Sequence, residues 1–165
     1  MVKTDWTIYE EDYWAITSVL KELLKNSNSQ SVLLIDKTGQ LIASVGIEPD
    51  FDLMSFASLC AADFEANSQL ATLIGEKDFS TLYHQGADES MYLSRIASSI
   101  ILVVLFNKRT TLGLVRLRVK KAVEGLNTIL DRLFEKLEYE NEDLKEFDEE
   151  FTQALTKDID ALFSD

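Results

Sequence analysis

The chain has 165 residues, 46% of them hydrophobic, with a single cysteine and a net charge of −13. That length suits one domain with an appendage, large enough to bury roughly two-thirds of its unfolded surface, while a lone cysteine excludes an internal disulfide framework and an acidic surface argues against a nucleic-acid partner. There is no run of 18 apolar residues, and Met1–Trp6 has no charged segment followed by an apolar one, so the sequence predicts neither a membrane span nor a signal peptide and places the protein in the cytoplasm.

The charge is unevenly spread. Residues 135–165 hold 12 acidic and 3 basic side chains, net −9, which leaves 17 acidic and 13 basic, net −4, for residues 1–134. Along the chain, Glu10, Glu11 and Asp12 precede Tyr13, Ile16, Val19, Leu20, Leu23 and Leu24, an apolar face at three- and four-residue spacing behind an acidic first turn, and so predict an amphipathic helix. Asn26-Ser27-Asn28-Ser29 ends it, because these side chains compete for backbone hydrogen bonds. Two apolar runs, Val32–Asp36 and Leu41–Val45, then fold back around Lys37-Thr38-Gly39-Gln40, where Gly39 supplies the positive φ of a tight turn.

After Pro49 and Asp50, Asp52 caps a predicted helix over about residues 53–74, closed by Gly75. Its bulky stripe of Leu53, Phe56, Cys60, Phe64, Leu70 and Ile74 is expected in the core, with Cys60 as a small buried side chain. The neighbouring stripe, Ala57, Ala61, Ala62, Ala66 and Ser68, is small, either to admit another backbone closely or as plain helix propensity. Strands are expected over 79–85, 91–96 and 100–106; the runs Val32–Ile35 and Ile100–Leu105 are apolar on both faces and should be central, and the more polar run from Phe79 should be an edge open to pairing with a second copy.

From Leu112 the spacing of Val115, Val119, Ala122, Leu126, Ile129, Leu133 and Leu137 predicts a last helix of six turns. Lys108, Arg109, Arg116, Arg118, Lys120 and Lys121 cluster about its start, where cations oppose the helix dipole and serve either solvation or a partner. Residues 138–146 are charged enough to read as a mobile spacer, after which Phe147, Phe151, Leu155, Ile159, Leu162 and Phe163 form an acidic amphipathic helix expected to find a groove on its own body or on a partner. The predicted organisation is therefore a domain over 1–137, a spacer over 138–146 and an amphipathic segment over 147–165.

Catalytic motifs are absent from this pattern. His84 has no second His or Cys near it in sequence, the six glycines never form a phosphate-binding loop, and acid pairs such as Asp50 and Asp52 are too common to carry acid–base work, so no catalytic residue, cofactor or metal is assigned.

The succession Leu33-Leu34-Ile35-Asp36-Lys37-Thr38-Gly39-Gln40-Leu41-Ile42-Ala43, then Leu70–Glu76, resembles the roadblock/LC7 family. His84-Gln85-Gly86, the run Arg109–Ala122 and the tail Asp158–Asp165 carry the likeness over nearly the whole chain, toward bacterial members that regulate Ras-like polarity GTPases of the MglA type. The resemblance implies an α/β three-layer sandwich: a five-stranded antiparallel sheet in the order 2-1-5-4-3, with helices 1 and 3 on one face and helix 2 on the other. It implies a homodimer joined through Ala57, Ala61, Phe79, Thr81 and Tyr83, and a GTPase held by Ala62, Glu65, Ala66 and Gln69 together with Ile159, Leu162 and Phe163 of the tail. Two copies to one GTPase, stimulation of hydrolysis without a donated arginine, and placement at a cell pole through partners follow from it. Asp63, Phe64 and Glu65 depart from the small, neutral pattern of the family at this helix. The alternatives from the residues alone are a roadblock scaffold that changes no turnover and a small-ligand-sensing α/β domain, the latter at odds with aliphatic central strands.

Overall fold

A computed structural model describes residues 10–97 and 99–163, with the backbone only of Asn141, Leu144 and Phe163. The elements run α1 (Glu10–Ser27), β1 (Ser31–Asp36), β2 (Leu41–Gly46), α2 (Leu53–Leu73), β3 (Thr81–Gln85), β4 (Glu89–Ile96), β5 (Ile100–Asn107) and α3 (Leu112–Phe163). All strand pairs are antiparallel, in the order β2-β1-β5-β4-β3. The chain divides into two compact units at Ile129/Leu130, inside α3.

Strand alternation sorts the core of the first unit into two layers. Leu33 and Ile35 of β1, Leu93 of β4, and Ile101 and Val103 of β5 pack with Ala57, Cys60 and Phe64 of α2. The intervening residues Val32, Leu34, Leu102, Val104 and Phe106 are buried on the opposite face, toward Ile16, Leu20 and Leu23 of α1 and Val115, Val119, Ala122 and Leu126 of α3. A Leu or Ile buried this completely contributes about 1.5–3 kcal/mol, and the two central strands, β1 and β5, are buried along nearly their whole length because each is covered on both sides. Gly125 lets α3 approach α1: a Cβ there would lie 3.8 Å from the Val19 methyls.

Three local expectations change. β3 starts at Thr81, so Phe79 lies ahead of the strand, half-buried. Leu70 and Ile74 are exposed, and Ala57, Ala61 and Ala71 take the core-facing side of α2. Residues 138–146 are helical within α3, because Glu, Lys and Leu are strong helix formers and no Gly or Pro follows Gly125.

The β1–β2 turn is organised by Asp36. Its carboxylate is buried, and Oδ1 accepts from the Thr38 N–H at 2.8 Å, the Thr38 hydroxyl at 2.6 Å and the Gln40 N–H at 2.9 Å. Gly39 sits at φ +88°, where a Cβ would come within 2.6 Å of Ser58 Cα, so the turn is pressed against α2 and admits only glycine. Replacing Asp36 by Ala removes three hydrogen bonds from a turn whose Thr38 and Gln40 can turn to water, for an expected loss of about 1–2 kcal/mol, read as a lower urea midpoint at unchanged m-value; Asp36→Asn, which keeps an acceptor oxygen, should lose less than half of that. An Asp36→Ala midpoint equal to wild type would show that the turn forms without the carboxylate.

Candidate protein-binding face

α2 begins at Asp52, whose carboxylate accepts from the N–H groups of Met54 and Ser55 at 3.2 and 3.3 Å. The Ser55 hydroxyl first, then those two N–H groups, hold the carboxyl below the ordinary carboxylate range. With the cap fixed and Ala57, Cys60, Ala61 and Phe64 on the sheet, the other side of the helix faces outward. Leu59, Ala62, Ala66, Leu70 and Leu73 recur there at intervals of three and four, with Leu59 69% and Leu73 81% exposed. This stripe is about 21 Å long, taking about 1.5 Å per residue. Glu65 and Gln69 lie beside it, and Gln69 Nε2 donates to Glu65 Oε1 at 2.9 Å.

All four predicted helix positions for a partner, Ala62, Glu65, Ala66 and Gln69, are thus exposed and adjacent on one face. Ala57 and Ala61, predicted as dimer contacts, are 0% and 5% exposed and belong to the protomer's own core, since small side chains there let α2 lie close to β1, β4 and β5. Leu59, Leu70 and Leu73 were not assigned to a surface from sequence. Their spacing with Ala62 and Ala66 was available, but α2 carries apolar residues on nearly every side and spacing alone does not fix its rotation.

The second part of the face is the free edge of β3. At its two ends Arg95 N–H donates to Ser80 O and Gly86 N–H to Glu89 O, each at 2.9 Å. With the Thr81↔Ser94 to Gln85↔Ser90 register, antiparallel alternation turns the backbone groups of Leu82 and His84 toward β4 and those of Thr81, Tyr83 and Gln85 outward. Thr81 and Tyr83, both predicted at a dimer edge, stand at this border, and the Tyr83 ring stacks on Phe106 at 6.2 Å between centroids.

Two polar links tie this border to α2. His84 Nε2 lies 2.7 Å from Asp63 Oδ2, a contact that gives a place to a histidine the sequence left without one. Arg95 forms an ion pair with Asp78, donates to the Ser68 hydroxyl at 2.8 Å and stands 5.0 Å over the Phe64 ring. Asp63 and Phe64 are therefore engaged within the protomer, which leaves Glu65 as the one large acidic side chain of that trio on the open face.

In the second unit, Phe147, Phe151, Leu155, Ile159 and Leu162 form an exposed stripe along α3, with the Phe147 and Phe151 rings stacked at 6.5 Å. Ile159 and Leu162 are thus outward-facing as expected; the Phe163 side chain lies outside the described residues. Among the described residues no three His, Cys, Asp or Glu side chains gather as a metal site, and no helix is long and apolar enough to cross a membrane.

The apolar helix face and the open strand edge are thus both uncovered in the protomer. The family model for the Roadblock/LC7 domain matches residues 16–106, and the chain belongs to that family. Its structure is similar to Myxococcus xanthus MglB, at 45% identity and a TM-score of 0.73 over 77% of this chain and 96% of that one. It is also similar to the gliding protein MglB from Thermus thermophilus, at 30% identity and a TM-score of 0.73 over 79% of this chain and 99% of that one, and to an MglB with a tetrameric arrangement, at 30% and 0.74 over 80% and 99%. No curated protein matches the chain at a significant level.

Cys60 lies beneath this face, its Sγ 3.9 Å from Met91 Sδ, and burial first, then the charge of Asp63, push its thiol up to about 12. The thiolate is the reactive form, so the native protein at pH 8 should resist an alkylating reagent for hours and react within minutes once unfolded, as followed by intact mass. Rapid labelling of the folded protein would show that α2 lifts from the sheet.

Proposed function

We propose that the chain is a homodimeric regulator of a small Ras-like GTPase of the MglA type, a GTPase-activating protein that holds the GTPase in the shape its own catalytic residues need. The observation that carries this reading is the exposed stripe Leu59, Ala62, Ala66, Leu70 and Leu73, an apolar helix face that the protomer leaves uncovered. The 45% identity to M. xanthus MglB supports the choice of partner. In this reading β3 pairs with β3 of a second copy about a two-fold axis, which brings two α2 helices side by side as a composite seat for one GTPase. Glu65 and Gln69 stand at the polar margin of that seat, and Ile159, Leu162 and Phe163 make a second contact with the same GTPase. The chain contributes no catalytic residue: it acts by binding one GTPase conformation better than another, so the population shifts toward the one that hydrolyses GTP.

Thr81→Pro places a ring on the outward border and removes one outward N–H while sparing the β4 ladder. It should weaken self-association at least tenfold in sedimentation equilibrium with little change in circular dichroism; a dimer of wild-type strength would remove β3 from the interface. Separately, Ala66→Arg should leave the protein folded and reduce both GTPase affinity and stimulated hydrolysis at least tenfold, measured with an MglA-type GTPase alongside nucleotide exchange. A folded Ala66→Arg protein that stimulates at the wild-type rate would refute the seat, and wild-type binding with no effect on turnover would make the protein a scaffold instead.

A further inference from the structure

A groove of about 700 Å³ lies on the face opposite α2, between the β3–β4 border and the first three turns of α3, with Tyr92, Leu117, Val119 and Val123 in its lining. Leu117 is 62% exposed. Arg116 and Lys120, one turn apart on α3, stand at this groove and, among the described residues, neither is in an ion pair; Lys121, by contrast, meets Glu22 at 3.5 Å and Lys108 meets Asp88 at 3.4 Å. Cations near a helix N-terminus oppose its dipole, and these two flank apolar surface with one acid, Glu124, beside them.

The complementary shape and charge are present elsewhere in the same sequence. Phe147, Phe151, Leu155, Ile159 and Leu162 make an exposed apolar stripe about 22 Å long by helical rise, on a segment whose residues 135–165 carry net −9. The groove follows α3 for about 16 Å from Gly113 to Glu124, so roughly three turns of the stripe fit along it. We infer that the acidic C-terminal stripe of one copy docks in the basic-flanked apolar groove of a second copy. The receiving groove in this inference is that of another copy, and docking of a tail in the groove of its own chain would overturn it. Two tails repel one another by charge, which disfavours tail-to-tail pairing and leaves the groove as the site where both the apolar and the charged surfaces find partners. This contact needs no GTPase, and because it uses Ile159 and Leu162, the residues given above to the GTPase, the docked tail and the GTPase-bound tail are alternative states of one segment.

The test uses full-length chains. Leu117→Cys protein is mixed with Leu155→Cys protein under oxidised glutathione; both positions are exposed, and the native Cys60 thiol stays silent. The mixed disulfide of twice the chain mass should form at least tenfold faster than for Leu155→Cys mixed with Leu59→Cys, whose thiol lies on the α2 side. Adding Arg116→Glu and Lys120→Glu to the Leu117→Cys chain should remove that advantage, and Glu149→Lys with Glu150→Lys on the Leu155→Cys chain should restore it, an exchange that a folding defect would not reproduce. Equal rates for the two mixtures would overturn the inference. So would a disulfide that forms only within a chain bearing both substitutions, which would place each tail in its own groove.

Discussion

The width of the gap between α2 and the sheet governs the surface this protein presents. Ala57, Cys60 and Ala61 fill that gap with short side chains, so the helix lies low over Leu33, Leu93 and Val103, with the buried Phe64 ring in the remaining space and Phe56 partly buried against the same cluster. A helix that meets its sheet through alanine must turn its leucines away. Leu59, Leu70 and Leu73 are therefore outward by consequence of how the core is filled, and the stripe they form is as rigid as the packing beneath it. The buried thiol at the centre of this contact has no water from which to draw a stabilising shell for its anion, so the packing that shapes the face also silences its chemistry.

The border strand depends on the same helix. β3 is only five residues long and mostly exposed, and a strand this short has little core of its own. Its position comes from side chains that reach across layers: His84 to Asp63, and Arg95 of the neighbouring strand to Asp78 and Ser68. Because the His84 and Ser68 links end on α2, the open edge and the apolar stripe are held in one geometry. Their polar partners are partly solvated, so their contribution lies in orientation more than in net stability.

The sheet was legible from the sequence because its elements carry local information. Asp36, Thr38 and Gly39 write the first turn, the doubly apolar runs of β1 and β5 mark the centre, and the capping acid of α2 and the left-handed Gly75 mark its ends. The positions Ala62, Glu65, Ala66 and Gln69, which the family resemblance points to, are exposed on the outer side of α2. The rotation of α2 was not legible: with Leu70, Ile74 and Phe64 of similar hydropathy on different sides, only the sheet surface decides which side is buried, and it chose the smaller residues. The segment 138–146, expected as a charged spacer, is helical, since the residues that carry the charge also favour helix. His84 and Asp63 lie 21 positions apart, and their meeting is a product of tertiary geometry alone.

A free strand border is a hazard as well as an opportunity, and the two ends of this sheet differ in how they meet it. On β2, the register against β1 slips between Leu34↔Ala43 and Ile35↔Leu41, leaving Ile42 as an extra residue that kinks the strand. A kinked border is a poor template, whereas the straight register of β3 against β4 offers a regular row of acceptors and donors. Had both ends been regular, each copy could add to the next without limit and the sheet would polymerise into a fibre. With one end spoiled, that route to unlimited growth through strand pairing is closed.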